Sequence, residues 1–211
     1  MKSNVVRNAC GASLGLLTVL IWASAAEKPR TAAPPAQARA EAGASPEALI
    51  RRWPPRSRAA AALLLETYGL PDQFDENSLA WFGNGEWKRT VVHRKLSRRD
   101  GSGRTKDFLE QTVGYLVPQD KLADLERFHQ LLEVSPIAGE MTFASDSEAK
   151  NRLAMNLADE IATGKRGPAD ARAAYLKTSR LAVSGKSSPY LEALQFEPDN
   201  TRVMIPTGAD R

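Results

Sequence analysis

The sequence predicts a single α+β domain in which antiparallel β-hairpins pack against helices on one face. Three observations carry this reading. Residues 55–69 read as an alanine-rich helix with a clear start and stop, two hairpins flank turn sequences at 83–86 and 136–139, and two further helices fill 145–185.

Order is expected to begin at Ser45-Pro46-Glu47, which supplies a helix N-cap, a proline at the first helical position and an acid in the first turn. The next helix has Pro55 in its first turn, strong propensity from Ala59 to Leu65, and a stop at Gly69 and Pro71. Its apolar face of Ala60, Ala61, Leu64, Leu65 and Tyr68 suits a sheet, and the small alanines permit close approach. Residues 79–82 and 87–94 then flank Gly83-Asn84-Gly85-Glu86, with Asn84-Gly85 read as a two-residue type I′ turn. That register sets Phe82 opposite Trp87 and Trp81 opposite Lys88, sends the two tryptophans to different faces, and aligns Leu79, Trp81 and Val92 in one apolar row.

A third strand over 108–117 alternates Leu109, Val113, Tyr115 and Val117 around Gln111, and Pro118 ends it. A short helix with Leu122, Leu125 and Phe128 leads to the second hairpin, 131–135 and 140–144. A four-residue turn over 136–139 pairs Leu132 with Phe143 and Val134 with Met141. Ser145 and Glu148 read as a capping box, after which Ala149, Leu153, Leu157 and Ile161 recur at helical spacing until Gly164. The last long helix starts at Pro168, offers Ala171, Ala174, Tyr175 and Ala182 for packing, and fades before Gly185. Residues 190–196 read as a final strand, the domain as 46–198, and 199–211 as a flexible tail.

The first 26 residues have the form of a bacterial secretory signal. Lys2 and Arg7 precede an uncharged run with Leu14, Leu16, Leu17, Val19, Leu20 and Ile21, and Ala23-Ser24-Ala25 closes it. The expected location is periplasmic or secreted. The alternative is an uncleaved inner-membrane anchor, because the run is near the lower limit for spanning a bilayer. Cys10 opens the apolar run instead of closing it, so a lipoprotein signal is not expected, and no Arg-Arg pair marks twin-arginine export. Residues 27–45 contain Pro29, Pro34 and Pro35 and no large apolar side chain, and read as a disordered linker.

Signal removal takes away Lys2 and Arg7, so the 29 basic residues fall to 27 against 25 acids and the working protein is nearly neutral. Cys10, the single cysteine, leaves with the signal, which removes disulfides, thiolate nucleophiles and cysteine-ligated metals from the mature chain. His93 and His129 lie in no metal-ligand spacing, and no metal or other cofactor is expected. Ser102 lies between two glycines without a nucleophile-elbow motif, and reads as a loop tip. The carboxylates Asp72/Asp75/Glu76 and Asp159/Glu160 read as solvated surface.

Residues 94–106 hold six basic side chains and one acid. Arg98, Arg99, Arg104 and Lys106, with Trp87, are therefore the binding candidates. Their chemistry suits lipopolysaccharide, phospholipid, peptidoglycan or an envelope protein, and nucleic acid is not the expected partner. Trp53, Trp81 and Trp87 could stack on sugars, but tryptophans at such spacing are more often core. The leading expectation is a non-enzymatic periplasmic binding or envelope-associated protein. The alternative is a hydrolase acting on an envelope component, with His93 as its base.

Trp53-Pro54, Tyr68-Gly69-Leu70-Pro71, Trp81, Glu86-Trp87-Lys88-Arg89-Thr90, Leu109-Glu110-Gln111, Tyr115, Val117-Pro118, Asn151, Asn156-Leu157-Ala158 and Ala171-Arg172 together resemble bacterial exported proteins with no assigned activity. That resemblance spans most of residues 53–172 and implies export and a mixed fold, with no reaction attached. Over residues 58–92, a helix ending in Gly-x-Pro and passing into a Trp-bearing hairpin is similar to small outer-membrane assembly lipoproteins of the β-lactamase-inhibitor-protein-like type. The chain departs from that family in its lack of a lipobox and its two C-terminal helices.

The signal reading has a direct test. The mature N-terminus is expected at Ala26 or Glu27, with no lipid on Cys10, and intact-mass measurement of a periplasmic extract checks it. Full-length protein held in the inner membrane would refute it.

Overall fold

The computed structural model describes residues 45–96 and 107–201. The signal-like first 26 residues, nearly all of the expected linker and residues 97–106 of the basic loop lie outside the described residues. Six strands form one antiparallel sheet: β1 (Gln73–Phe74), β2 (Ser78–Asn84), β3 (Trp87–His93), β4 (Leu109–Gly114), β5 (Leu132–Ser135) and β6 (Glu140–Ser145), in the spatial order β1-β2-β3-β4-β6-β5. The helices are α1 (Pro46–Ile50), α2 (Pro55–Tyr68), α3 (Leu122–Phe128), α4 (Glu148–Ala162), α5 (Pro168–Val183) and α6 (Pro189–Glu192). This is the predicted α+β domain, a six-stranded antiparallel sheet packed against several helices.

Register shows why the core lies on one side. Pairing sets Leu79 against Val92, Trp81 against Thr90, Val92 against Leu109, Gln111 against Phe143, and Val113 against Met141. All of these share one face. On it, α1 and α2 bury Ile50, Trp53, Ala61 and Leu64 with Leu79, Trp81 and Leu109. Helices α3, α4 and α5 bury Leu125, Phe128, Leu153, Leu157, Ile161 and Ala171 with Val113, Met141 and Phe143. Where the two clusters meet, Gln111 is wholly buried. Its Oε1 accepts from Asn151 at 2.9 Å and its Nε2 donates to Thr90 at 3.3 Å, so the polar contact between clusters is satisfied. The opposite face carries cross-strand polar pairs, Lys88 with Glu140 at 2.7 Å and Thr112 with Thr142 at 2.9 Å.

The second hairpin has the predicted register, Leu132 against Phe143 and Val134 against Met141. The first does not. Its turn is Gly85-Glu86, with Asn84 opposite Trp87, so Trp81 faces Thr90 and Phe82 faces Arg89. Gly85 occupies the first turn position at φ +61°, where glycine is favoured. The shift from the predicted register is two residues, which by itself moves no side chain to the other face, and the Leu79/Trp81/Val92 row survives, whereas the expected placement of Trp81 and Trp87 on different faces does not.

Trp87 breaks the alternation. Strict pleating would send it to the polar face, yet it is fully buried in the helix-side core. Lys88 and Arg89 behind it both reach polar-face residues, Glu140 and Thr112. Both tryptophans of the hairpin are therefore inside, at 2% exposure for Trp81 and 0% for Trp87.

Three further elements correct the sequence reading. Ser147 is the N-cap of α4, while Ser145 Oγ bonds Asn151 Oδ1 at 2.6 Å, so no capping box forms. Residues 190–196 are not a strand. Asn156 on α4 takes the carbonyls of Tyr190 and Ala193 and accepts from Gln195 N–H at 2.7 Å, which uses the backbone groups a sheet neighbour would need. Asp199 and Asn200, expected in a loose tail, are bonded to both backbone groups of Gly114. A Cβ at Gly114 would lie 1.8 Å from Asp199 O, so only glycine lets the chain pass.

Leu157 lies at the centre of the α4 stripe and is 1% exposed. Leu157→Ala is expected to cost about 2–5 kcal/mol, read as a lowered denaturant midpoint with unchanged slope; an inconsequential substitution would refute this packing.

Candidate functional site

The end of the sheet from which the basic loop departs is assembled from two separate stretches of chain. Helix α1 ends at Ile50 with Arg51 and Arg52 in the turn beyond it, and Trp53 fixes the corner that follows, 4% exposed and donating its indole N–H to Glu76 O at 3.1 Å. Pro54 and Pro55 then start α2, which carries Arg56 and Arg58. Ser57, buried between them, donates to Arg94 O at 2.8 Å, and Arg94 N–H donates to Asn77 O at 2.7 Å. These bonds gather Arg51, Arg52, Arg56, Arg58, Arg94 and Lys95 at one end of the domain.

Carboxylates temper this charge. Glu47, Asp75, Glu76, Asp107 and Asp146 stand at the same end, and Asp146 is paired with Arg56 at 2.9 Å and with Lys150 at 2.7 Å. The marked basic excess belongs to residues 97–106, with four bases and one acid. Arg94 Nε is buried with no hydrogen-bond partner among the described residues.

Of the predicted binding residues, Arg98, Arg99, Arg104 and Lys106 lie outside the described residues. Trp87 is described. It opens β3 at the hairpin end, whereas the basic loop leaves after the other end of that strand, about 20 Å away at ordinary strand rise. Its ring is enclosed by the core, and its indole N–H donates to Glu148 Oε1 at 3.1 Å. Sequence reasoning missed Arg51, Arg52, Arg56 and Arg58. Their signal was the run Arg51-Arg52-Trp53-Pro54-Pro55-Arg56-Ser57-Arg58, read only for its helix start.

The carboxylates set aside as surface mostly have structural bonds. Asp72 accepts from Phe82 N–H and Asp75 from Ser78 N–H, both at 2.7 Å. Asp159 accepts from Tyr115 Oη at 2.8 Å, and Glu160 is bonded by Arg166 and Tyr190. Burial first, then this Asp159 contact, hold the Tyr115 phenol well above its usual range. The densest charged cluster has Arg152 between Glu86 and Glu148, with Tyr68 Oη donating to Glu148 at 2.7 Å. Burial opposes the charge on Arg152, but the Glu86 hydrogen bond and the two carboxylates outweigh it and raise its pKa. Among the described residues no three metal-ligating side chains converge, and no helix is long and apolar enough to cross a membrane.

His129 is packed edge-on against Phe128, Phe143 and Tyr175, and its Nδ1 accepts from Leu131 N–H at 3.2 Å. Burial, then the charge of Arg172, push its pKa from 6.5 down to about 4. An unfolded chain takes up this proton near 6.5, the folded one near 4. The stability contributed by neutral His129 is therefore complete above pH 6.5 and lost as pH falls toward 4. Discounted for partial exposure, the loss is about 1–2 kcal/mol. His129→Phe is expected to flatten the stability profile across that window in pH-dependent denaturant melts; an unchanged slope would refute the assignment.

No family model matches the chain, and neither the curated proteins nor the solved structures contain a match to it.

Proposed function

We propose that this is an exported, non-enzymatic protein that binds anionic material of the bacterial cell envelope through its basic end. The observation that carries the reading is the meeting of the Arg51–Arg58 run with Arg94 and Lys95, joined by the Ser57–Arg94 bond, where the sequence continues into the most basic stretch of the chain. The signal-like first 26 residues support export. Lipopolysaccharide, phospholipid and cell-wall polymer are the polyanions that a protein so exported meets. The engagement of Glu86, Glu148, Asp159 and His129 in structural bonds supports a binding role over a hydrolytic one.

Binding of this kind is electrostatic and must weaken with salt, because screening shortens to about 8 Å at physiological ionic strength. The mature protein is expected to cosediment with anionic vesicles or purified sacculi at low salt and to be released at moderate salt. Replacing Arg98, Arg99, Arg104 and Lys106 with Gln is expected to weaken association by about a thousandfold, at roughly 1 kcal/mol per cation near an anionic surface. Replacing Arg51, Arg52 and Arg58 with Gln tests the second run. Failure of the wild type to bind either material at low salt, or equal binding by the folded quadruple variant, would overturn the reading.

A further inference from the structure

Between α2 and the N-terminus of α4 the helices leave a trough of about 380 Å³ over the start of β4. One stripe of α2, Ala59, Ala60, Leu63 and Leu64, forms its wall, with Phe108 and Leu109 also lining it. Arg56, bonded to Asp146 at 2.9 Å, lies in its lining at one end, and Glu148, which accepts from Tyr68 at 2.7 Å, at the other, with Tyr68 itself just beyond. The α2 ends of these two side-chain bridges are twelve residues apart, about 18 Å along the helix axis. The trough exists because α2 closes on the sheet through Ala61 and Leu64, while small residues at 59 and 60 leave space beside them and Leu63 stays 61% exposed at the rim.

The two ends differ in charge. At one, Asp146 is shared by Arg56 and Lys150, an excess of one cation. At the other, Glu86 and Glu148 share Arg152, an excess of one carboxylate. Only the first end is open to a ligand's head group. The Arg56 side chain is 69% exposed and can turn from Asp146, which keeps Lys150, whereas Glu148 is enclosed by Tyr68, Trp87 and Arg152.

We infer that this trough, on the envelope-binding reading above, holds one acyl chain of an anionic amphiphile, with the head group at Arg56 and the chain running toward Tyr68. Apart from Ser147 at the start of α4, the lining between the bridges is aliphatic and aromatic and favours an occupant that is mostly apolar. An extended peptide would bury backbone amides there without partners. A helix, about 10–12 Å across, could not enter without displacing Leu63. The volume is at the small end for ligand pockets and fits a single chain. Free fatty acid and lysophospholipid share this chemistry, one chain with a carboxylate or a phosphate.

The test uses the mature protein and cis-parinaric acid as a fluorescent single-chain probe below its aggregation concentration. Wild type is expected to take up the probe. Ala59→Trp, at an exposed position, fills the trough and is expected to abolish uptake with an unchanged melting curve and unchanged vesicle cosedimentation. Arg56→Gln is expected to weaken the acid probe about tenfold while leaving a matched fatty alcohol competitor unaffected. Displacement by lysophosphatidylglycerol identifies phospholipid as a source; displacement by fatty acid alone identifies the free acid. Wild type that sediments with vesicles yet takes up no probe overturns the inference and leaves the envelope reading standing. Equal uptake by folded Ala59→Trp also overturns it. Uptake blocked by Ala59→Trp, with no sedimentation of wild type on vesicles or sacculi, supports the trough and overturns the surface reading.

Discussion

Glu148 is the point through which the separate segments of this domain are fixed to one another. It stands at the first position of α4, where a carboxylate is favoured by the helix dipole, and one of its oxygens accepts from Tyr68 on α2, Trp87 on β3 and Arg152 one turn along α4. Arg152 also holds Glu86 in the hairpin turn, and Glu86 accepts the N–H of Leu194 at 3.0 Å and offers its carbonyl to Asn200 at 2.9 Å. Five segments are thus positioned by two carboxylates and one guanidinium. Such a cluster adds little net stability over well-packed apolar residues, because each charge loses hydration on burial. Its contribution is registry. A carboxylate bridged to Arg152 accounts for the hairpin turning at Gly85-Glu86 when the local sequence prefers Asn84-Gly85.

That distinction explains which elements are legible in the sequence. The β5–β6 hairpin and the α4 stripe follow from side chains close in sequence, and α2 and α5 from their starting prolines and terminal glycines. Reading their pattern was sufficient. The first hairpin required knowledge that Arg152, 66 residues on, would capture Glu86. The expected strand at 190–196 fails for a related reason, since a buried asparagine on α4 supplies its backbone bonds from a helix. The capping box fails because Ser145 ends β6 and is bonded to Asn151 in the buried polar contact beside Gln111. Each of these departures traces to a polar bond between specific side chains, which no periodicity records.

The candidate site divides in the same way. A run of like charge is visible in sequence, so the basic loop stood out, while its structural neighbours did not. Arg51, Arg52, Arg56 and Arg58 sit in a stretch whose prolines and alanines announce a helix start, and only the Ser57–Arg94 bond shows that this start abuts the loop. Trp87 was separable from the loop only by strand direction, since the two lie at opposite ends of β3.

The attachment of α2 explains how a domain of this size keeps an apolar trough open. The helix is held at its ends by directional bonds: Trp53 to Glu76 O and Ser57 to Arg94 O before and at its start, and Tyr68 to Glu148 and Trp81 to Gly69 O at its finish. Between those ends it touches the sheet through Ala61 and Leu64. Packing alone would draw such a helix toward α4 until the space beside Ala59 and Ala60 closed, since each uncovered apolar surface favours collapse. Fixed termini oppose that movement, because closing the trough would break bonds made by partly buried donors. The trough is consequently present before any ligand arrives. Apart from the turn of Arg56 at one end, an occupant meets a shape that needs no ordering on binding, the condition under which a small apolar contact retains most of its free energy.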